Sequence, residues 1–248
     1  MKFSIITCCK NSLPYLKDNI KSVQNQNYRN FEHLFICSKS TDGTDNFLKK
    51  INYKKKRVFF LKSTGVYKAI NYGIKKSKGD VIFLLHSDDL IINKTLLQNT
   101  FKKFKTNSID FLYGNIKISK KNNKKKILRL WNGTYKVNNK YLFNMPAHTS
   151  LFIKKKIFKK LGLYNTRFNI SSDLDFLLKL FSNKKYNYLF VNKYFIIMRN
   201  GGISSSVNNI ISKIYEDIII LFKYYNFYSA IIYILKIISK IKQLKIFK

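Results

Sequence analysis

Apolar residues in this 248-residue chain cluster into short strand-length runs, and the segments between them carry helical spacing. Lys2–Cys8, Phe31–Cys37, Arg57–Leu61 and Val81–Leu85 are the predicted strands of the first half. The last of these is apolar without alternation, as a strand covered on both faces must be. Between them, Leu13–Gln24 reads as a helix that follows Asn11-Ser12 and carries Pro14 in its first turn. A second helix is expected around Asp45–Ile51. In a third, Ala69, Ile70, Gly73 and Ile74 share one face, Lys75, Lys76 and Lys78 crowd the last turn, and Gly79 stops it. Strands alternating with helices predict an α/β fold with a mostly parallel, doubly wound sheet and helices on both faces. A helix over Lys94–Phe104 leads to a further strand at Asp110–Tyr113. Beyond it the alternation ends: Gly114–Lys120 and Ile127–Trp131 flank the loop 121–126 as a hairpin, so residues from 114 on are expected to form an antiparallel portion of the same domain. From Asn208 a helical tail is expected, with Ile231, Ile234, Ile237, Ile238, Ile241 and Leu244 on one arc and Lys236, Ser239, Lys240, Lys242 and Gln243 on another. That pattern suits a helix lying on anionic lipid through a basic face, or one packing on the domain or a second subunit.

Two places carry candidate chemistry. Strand Val81–Leu85 leaves the core at His86-Ser87-Asp88-Asp89, and in open α/β sheets ligands bind beyond the carboxyl ends of strands. Adjacent carboxylates there repel unless a cation shares them, and hard oxygens suit Mg²⁺ or Mn²⁺ completed by a substrate phosphate. A solvated turn and helix cap is the alternative. The second place is Asn144-Met145-Pro146-Ala147-His148-Thr149-Ser150 with Ser171-Ser172-Asp173-Leu174-Asp175. Asp173 lies in the first turn of a helix, where the dipole favours an acid whether it caps or reacts. His148 is read as a contact to an acceptor, with a core histidine and a phosphate contact as alternatives.

Taken in order, Ser4-Ile5-Ile6-Thr7, Tyr15-Leu16, Ile20-Lys21-Ser22-Val23, Gln26-Asn27-Tyr28, Ser40-Thr41-Asp42-Gly43-Thr44, the helix Gly65-Val66-Tyr67-Lys68-Ala69-Ile70-Asn71 and the Asp88-Asp89 pair resemble the family 2 glycosyltransferases of GT-A fold. The resemblance covers residues 2–205 and is strongest before residue 90. It implies a domain over 1–206, with a nucleotide-sugar-binding half (1–113) and an acceptor-side half (114–206), followed by an amphipathic helical appendage (207–248). It implies a nucleotide-sugar donor, UDP-linked, met by Thr7, Asp42, Tyr67, Asn71 and Asp88, and a Mn²⁺ or Mg²⁺ ion at Asp89 and Asp88. A saccharide or lipid-linked saccharide acceptor would lie near His148, with Asp173 as the base of an inverting transfer in cell-surface polysaccharide synthesis. Asp173 matches the family position better than Asp175. Gly201-Gly202-Ile203-Ser204 resembles a late segment near the donor phosphates, with a plain loop as the alternative. The chain departs from the family pattern at Cys37, where an acidic residue usually contacts uracil, and at Ser63, Lys68 and His86.

Composition changes this picture in one respect. Lys and Arg number 48 against 12 Asp and Glu, a net charge of +36. Such a balance favours anionic partners, and nucleotide-composition bias toward Lys, Asn and Ile accounts for it equally well. With 17 Tyr and 21 Phe, it also raises an alternative of another class, a nucleic-acid-binding protein without catalysis. No recognition motif supports that reading, so no nucleic-acid partner is expected. A nucleotidyltransferase is disfavoured because its Gly-rich phosphate loop is absent. Three cysteines without metal or pairing pattern, no secretory leader and no apolar run of ~18 residues predict a cytoplasmic protein, and the amphipathic tail would make it peripheral on the inner face of the plasma membrane.

Overall fold

The computed structural model describes residues 1–62, 65–134, 145–202 and 209–243. Strand β1 (Phe3–Cys9) lies at the centre of a parallel block, flanked by β2 (Phe31–Ser38) and β4 (Val81–Leu84), with β3 (Lys56–Leu61) outside β2. Its side chains alternate between two apolar layers. Ile6, Ile82 and Leu84 enter the layer beneath helix α3 (Val66–Lys76), while Ile5, Val81 and Phe83 enter the layer containing Leu97 and Phe104 of α4 (Leu96–Thr106). Close approach fixes α3 on the sheet: a Cβ at Gly73 would stand 2.6 Å from Ile6 Cγ2. Helices α1 (Leu13–Gln24) and α2 (Thr44–Lys50) complete this half.

The second half extends the same sheet, whose order is β3-β2-β1-β4-β8-β6-β9-β5, with β7 also paired to β6. Strand β8 (Leu151–Lys154) is antiparallel to both β4 and β6 (Phe111–Lys120). The expected hairpin is present as β6 and β7 (Asn123–Trp131). Two expectations are corrected. Asp110–Tyr113 and Gly114–Lys120 are not separate strands but one strand, β6, in which Gly114 sits at a register shift and a Cβ would meet the Phe195 ring at 2.6 Å. The portion after residue 114 is also not wholly antiparallel, because β9 (Tyr188–Arg199) runs parallel to β6 over most of its length. The two-residue strand β5 (Leu90–Ile91) pairs with β9 and brings the loop after β4 beside Arg199.

Helices α5 (Lys155–Leu161) and α6 (Ser172–Ser182) lead to β9, and the tail forms two helices rather than one. Helix α7 (Ile210–Tyr225) turns at Asn226, whose φ is +47°, through a 3-10 turn into α8 (Ser229–Lys242). Taken together, Ile210–Lys242 contains a stretch apolar enough to match a membrane span by composition, which the absence of an ~18-residue apolar run had not anticipated. The turn divides it into helices of 16 and 14 residues. The tail also shares the domain's core, since Ile220, Leu221 and Ile232 belong to the cluster that holds Leu177 and Leu178 of α6. Ser63, Asn144, Ile203, Ser204 and Leu244 lie outside the described residues.

Candidate active site

The loop after β4 is held by its backbone. Asn19 Nδ2 donates to the carbonyls of His86 (2.8 Å) and Asp89 (3.0 Å), and Arg199 Nη1 donates to the Asp88 carbonyl at 2.6 Å. Ser87 Oγ lies 2.8 Å from Ser12 Oγ. The other guanidinium nitrogen of Arg199 pairs with Asp18. Of the 12 acidic side chains, all but Asp88 and Asp89 bond a basic side chain or a backbone N–H outside their own loop. The Asp88 carboxyl is partly exposed; burial raises its pKa, with Arg199 and Lys121 opposing. Asp89 is fully buried with both carboxylate oxygens unpartnered, and burial and the Asp88 charge push its pKa well up.

That pairing of a reachable and a sealed carboxylate tests the fit of a divalent cation. Hard oxygens without a protein partner, beside a repelling neighbour, are what a cation relieves. Asp88 fits as the direct ligand. Asp89, expected as a metal residue, is sealed from solvent. Among the described residues no group of three or more His, Cys, Asp or Glu could enclose a metal, so phosphate oxygens and water must complete any shell.

Asp173 stands in the first turn of α6, about one-third exposed. Its Oδ2 is 3.1 Å from His148 Nδ1, and its Oδ1 is 3.0 Å from the Tyr67 hydroxyl, which also lies 2.7 Å from the Ile170 carbonyl. His148 Nε2 is 3.0 Å from His86 Nε2. With His148 Nδ1 donating to the carboxylate, its Nε2 donates to His86 when the ring is protonated and accepts from His86 when it is neutral. Burial, reinforced by His148, lowers His86 to about 3 and keeps it neutral. For Asp173, burial alone would raise the pKa; the hydrogen bond and charge of His148, with Lys213 and Lys236, hold it well below the usual carboxylate range. The line His86–His148–Asp173–Tyr67 thus joins the end of β4, the 3-10 turn His148–Ser150, α6 and α3. His86 is the member that sequence reasoning noted only as a departure from the family pattern.

Several expected donor contacts have other partners. Thr7 is fully buried; its hydroxyl donates to the Leu85 carbonyl at 2.8 Å and accepts from His33 Nε2 at 2.9 Å, so it braces β4 rather than meeting a ligand. Tyr67 is buried against Asp173. Asn71 clamps the backbone of Tyr164 through both its amide oxygen and nitrogen. Asp42 caps two helices, accepting from the N–H groups of Leu13 (2.9 Å) and Thr44 (3.0 Å). Cys37 lies in the core beside Cys9, Leu16 and Phe35. Asp175 is sealed and ion-paired to Lys179 and Lys223, which separates its role from that of Asp173. Sequence reasoning also missed Glu216 of α7, whose carboxylate accepts the N–H groups of Asn169, Ile170 and Ser171 at 2.8–2.9 Å.

A parallel block whose strand β4 leads into a pair of acids, extended by a mixed sheet that brings a second carboxylate to the same region, defines a GT-A glycosyltransferase. The sequence model for glycosyl transferase family 2 matches residues 4–162, and the chain belongs to that family. A PGL/p-HBAD biosynthesis glycosyltransferase of Mycobacterium bovis is 24% identical over 216 residues, covering 83% of this chain and 80% of that protein. An uncharacterized glycosyltransferase of Haemophilus influenzae is 41% identical over 96 residues, 38% of each chain. Among solved structures, S. aureus TarS 1–349 in complex with UDP-GlcNAc superposes with a TM-score of 0.71 at 19% identity, over 90% of this chain and 67% of that one. A longer TarS structure is spanned over only 40% of its length.

Proposed function

We propose that this glycosyltransferase moves a sugar from a UDP-linked donor to a hydroxyl of a saccharide or lipid-linked saccharide, with inversion, in cell-surface polysaccharide synthesis at an anionic membrane surface. The observation that carries the reading is Asp173, ionised and oriented by His148 and Tyr67, tied through His86 to the loop bearing Asp88. The UDP-GlcNAc complex of TarS supports the choice of donor. The nucleic-acid alternative loses its basis, since large aromatics such as Phe3, Phe35, Phe83, Phe111, Tyr113 and Phe152 are core residues.

Asp173 accepts the proton of the attacking hydroxyl as its oxygen bonds to the anomeric carbon and the bond to the diphosphate breaks, its electron pair leaving with the phosphate oxygen. His148 and Tyr67 hold the carboxylate in one orientation and stabilise its charge. Asp88 would hold a Mn²⁺ or Mg²⁺ ion, which when bound offsets negative charge on the diphosphate. The acceptor is assigned to the region of His148, beside the Asp173 carboxylate that takes its proton.

Asp173→Asn tests the assignment. It keeps size and one accepting oxygen, so folding and UDP-sugar affinity by calorimetry should persist, while transfer falls by at least about a hundredfold. Transfer retained within a few-fold in that variant would remove Asp173 from the chemistry.

A further inference from the structure

Soluble amphipathic helices turn their charges outward, and the α7–α8 hairpin does the reverse. Lys236 of α8 is largely buried, with Nζ 2.7 Å from Asp217 Oδ2, and Lys213 reaches the same carboxylate at 3.4 Å. The Asp217 side chain is 1% exposed. The basic arc expected to meet lipid therefore faces the protein, at least through Lys236. The opposite face carries Ile211, Tyr215, Phe222, Phe227, Ile231 and Ile234, from 50% to 90% exposed. A contiguous apolar surface of this kind marks an interaction site.

Charge selects the occupant. A second copy would bring another +36 against this one, whereas an anionic lipid surface attracts it. Lys242 remains exposed at the end of the hairpin, able to meet headgroups while the isoleucines enter the acyl boundary. Phe227 and Tyr228 at the turn are aromatics suited to the same boundary. At ~1.5 Å per residue the two helices reach roughly 24 and 21 Å, short of the ~30 Å hydrocarbon core, so the hairpin lies on one leaflet.

We propose that the outer face of the α7–α8 hairpin docks the protein on an anionic phospholipid monolayer through its apolar side chains. The inner face of the same hairpin holds the loop before α6 through Glu216, so docking sets Asp173 at a fixed relation to the membrane. Binding is read without turnover, so this proposal and the assignment of Asp173 fail separately.

The test is co-sedimentation of the full chain with phosphatidylcholine vesicles and with phosphatidylcholine–phosphatidylglycerol vesicles, comparing wild type with a Phe227→Ser/Tyr228→Ser/Ile231→Ser variant. The variant changes no charge and replaces exposed side chains only. Wild type should prefer the anionic vesicles, and the variant should lose affinity at least about tenfold. Equal binding by both proteins would show adsorption by overall charge and overturn the proposal. A wild-type dimer in ultracentrifugation that the variant converts to a monomer, without a vesicle effect, would assign the face to a second copy. Should circular dichroism show that variant unfolded, Ile211→Ser/Tyr215→Ser on α7 puts the same question.

Discussion

Asp173 ionises against its own burial because His148 donates to one carboxylate oxygen and Lys213 and Lys236 add positive field. Removing the imidazole takes away the largest influence that opposes burial and leaves only Lys213 and Lys236, so in His148→Asn the pKa of Asp173 rises. The acid limb of kcat/KM against pH should then lie at higher pH in His148→Asn than in wild type, where Asp173 stays charged well below neutrality. Coincident acid limbs would show that His148 does not govern this carboxylate. For stability the sign is the same: a depressed folded-state pKa stabilises above the unfolded carboxylate range, and the contribution is lost as pH falls toward the folded value. The place of Asp173 in the first turn of α6 was legible because two serines and a helix onset frame it. The partners of Tyr67 and Asn71 were not, since each reaches some hundred residues along the chain to Asp173 and Tyr164. The burial of Thr7 and Asp89 was not legible for a related reason: a polar residue in or just after a buried strand has the same local sequence whether it faces a crevice or the core.

At the scale of elements, local periodicity located α1, α3 and the four parallel strands nearly residue for residue, because their apolar faces are continuous in sequence. It gave no account of β9, whose apolar pattern is interrupted by exposed Asn192 and Lys193, nor of β5, which is only two residues long. The helical hairpin was half legible: the arc of isoleucines was visible, but the direction it faces depends on Asp217 holding Lys236. Glu216 makes the tail part of the site by accepting three backbone N–H groups ahead of α6. In Glu216→Ala those donors lose a charged acceptor, a loss of roughly 3 kcal/mol. At about 2–4 °C per kcal/mol in a domain of this size, the melting temperature should fall by about 6–12 °C. Glu216→Gln, which retains an acceptor oxygen, should fall less. A melting temperature unchanged in Glu216→Ala would show that water replaces the carboxylate without cost.

Over the whole molecule, 48 basic side chains face 12 acidic ones, and most acids are already paired, capping or enclosed. Little negative charge remains to neutralise the surface lysines, so the folded state concentrates positive charge that an expanded chain would spread apart. Self-repulsion of this kind destabilises the compact state, and salt screens it. The Debye length falls from about 30 Å at 0.01 M to about 8 Å at 0.15 M, from comparable with a domain to shorter than most lysine separations. Screening also weakens ion pairs, yet the pairs of Asp175 and Asp217 lie around nearly inaccessible carboxylates and are less affected. Repulsion therefore dominates the salt response. Thermal denaturation in sodium chloride from 0.01 to 0.15 M should raise the melting temperature by several degrees, about 1–2 kcal/mol at this chain length. A melting temperature that falls over that range would mean that the few ion pairs, rather than the surplus of lysines, set the electrostatic balance of the fold.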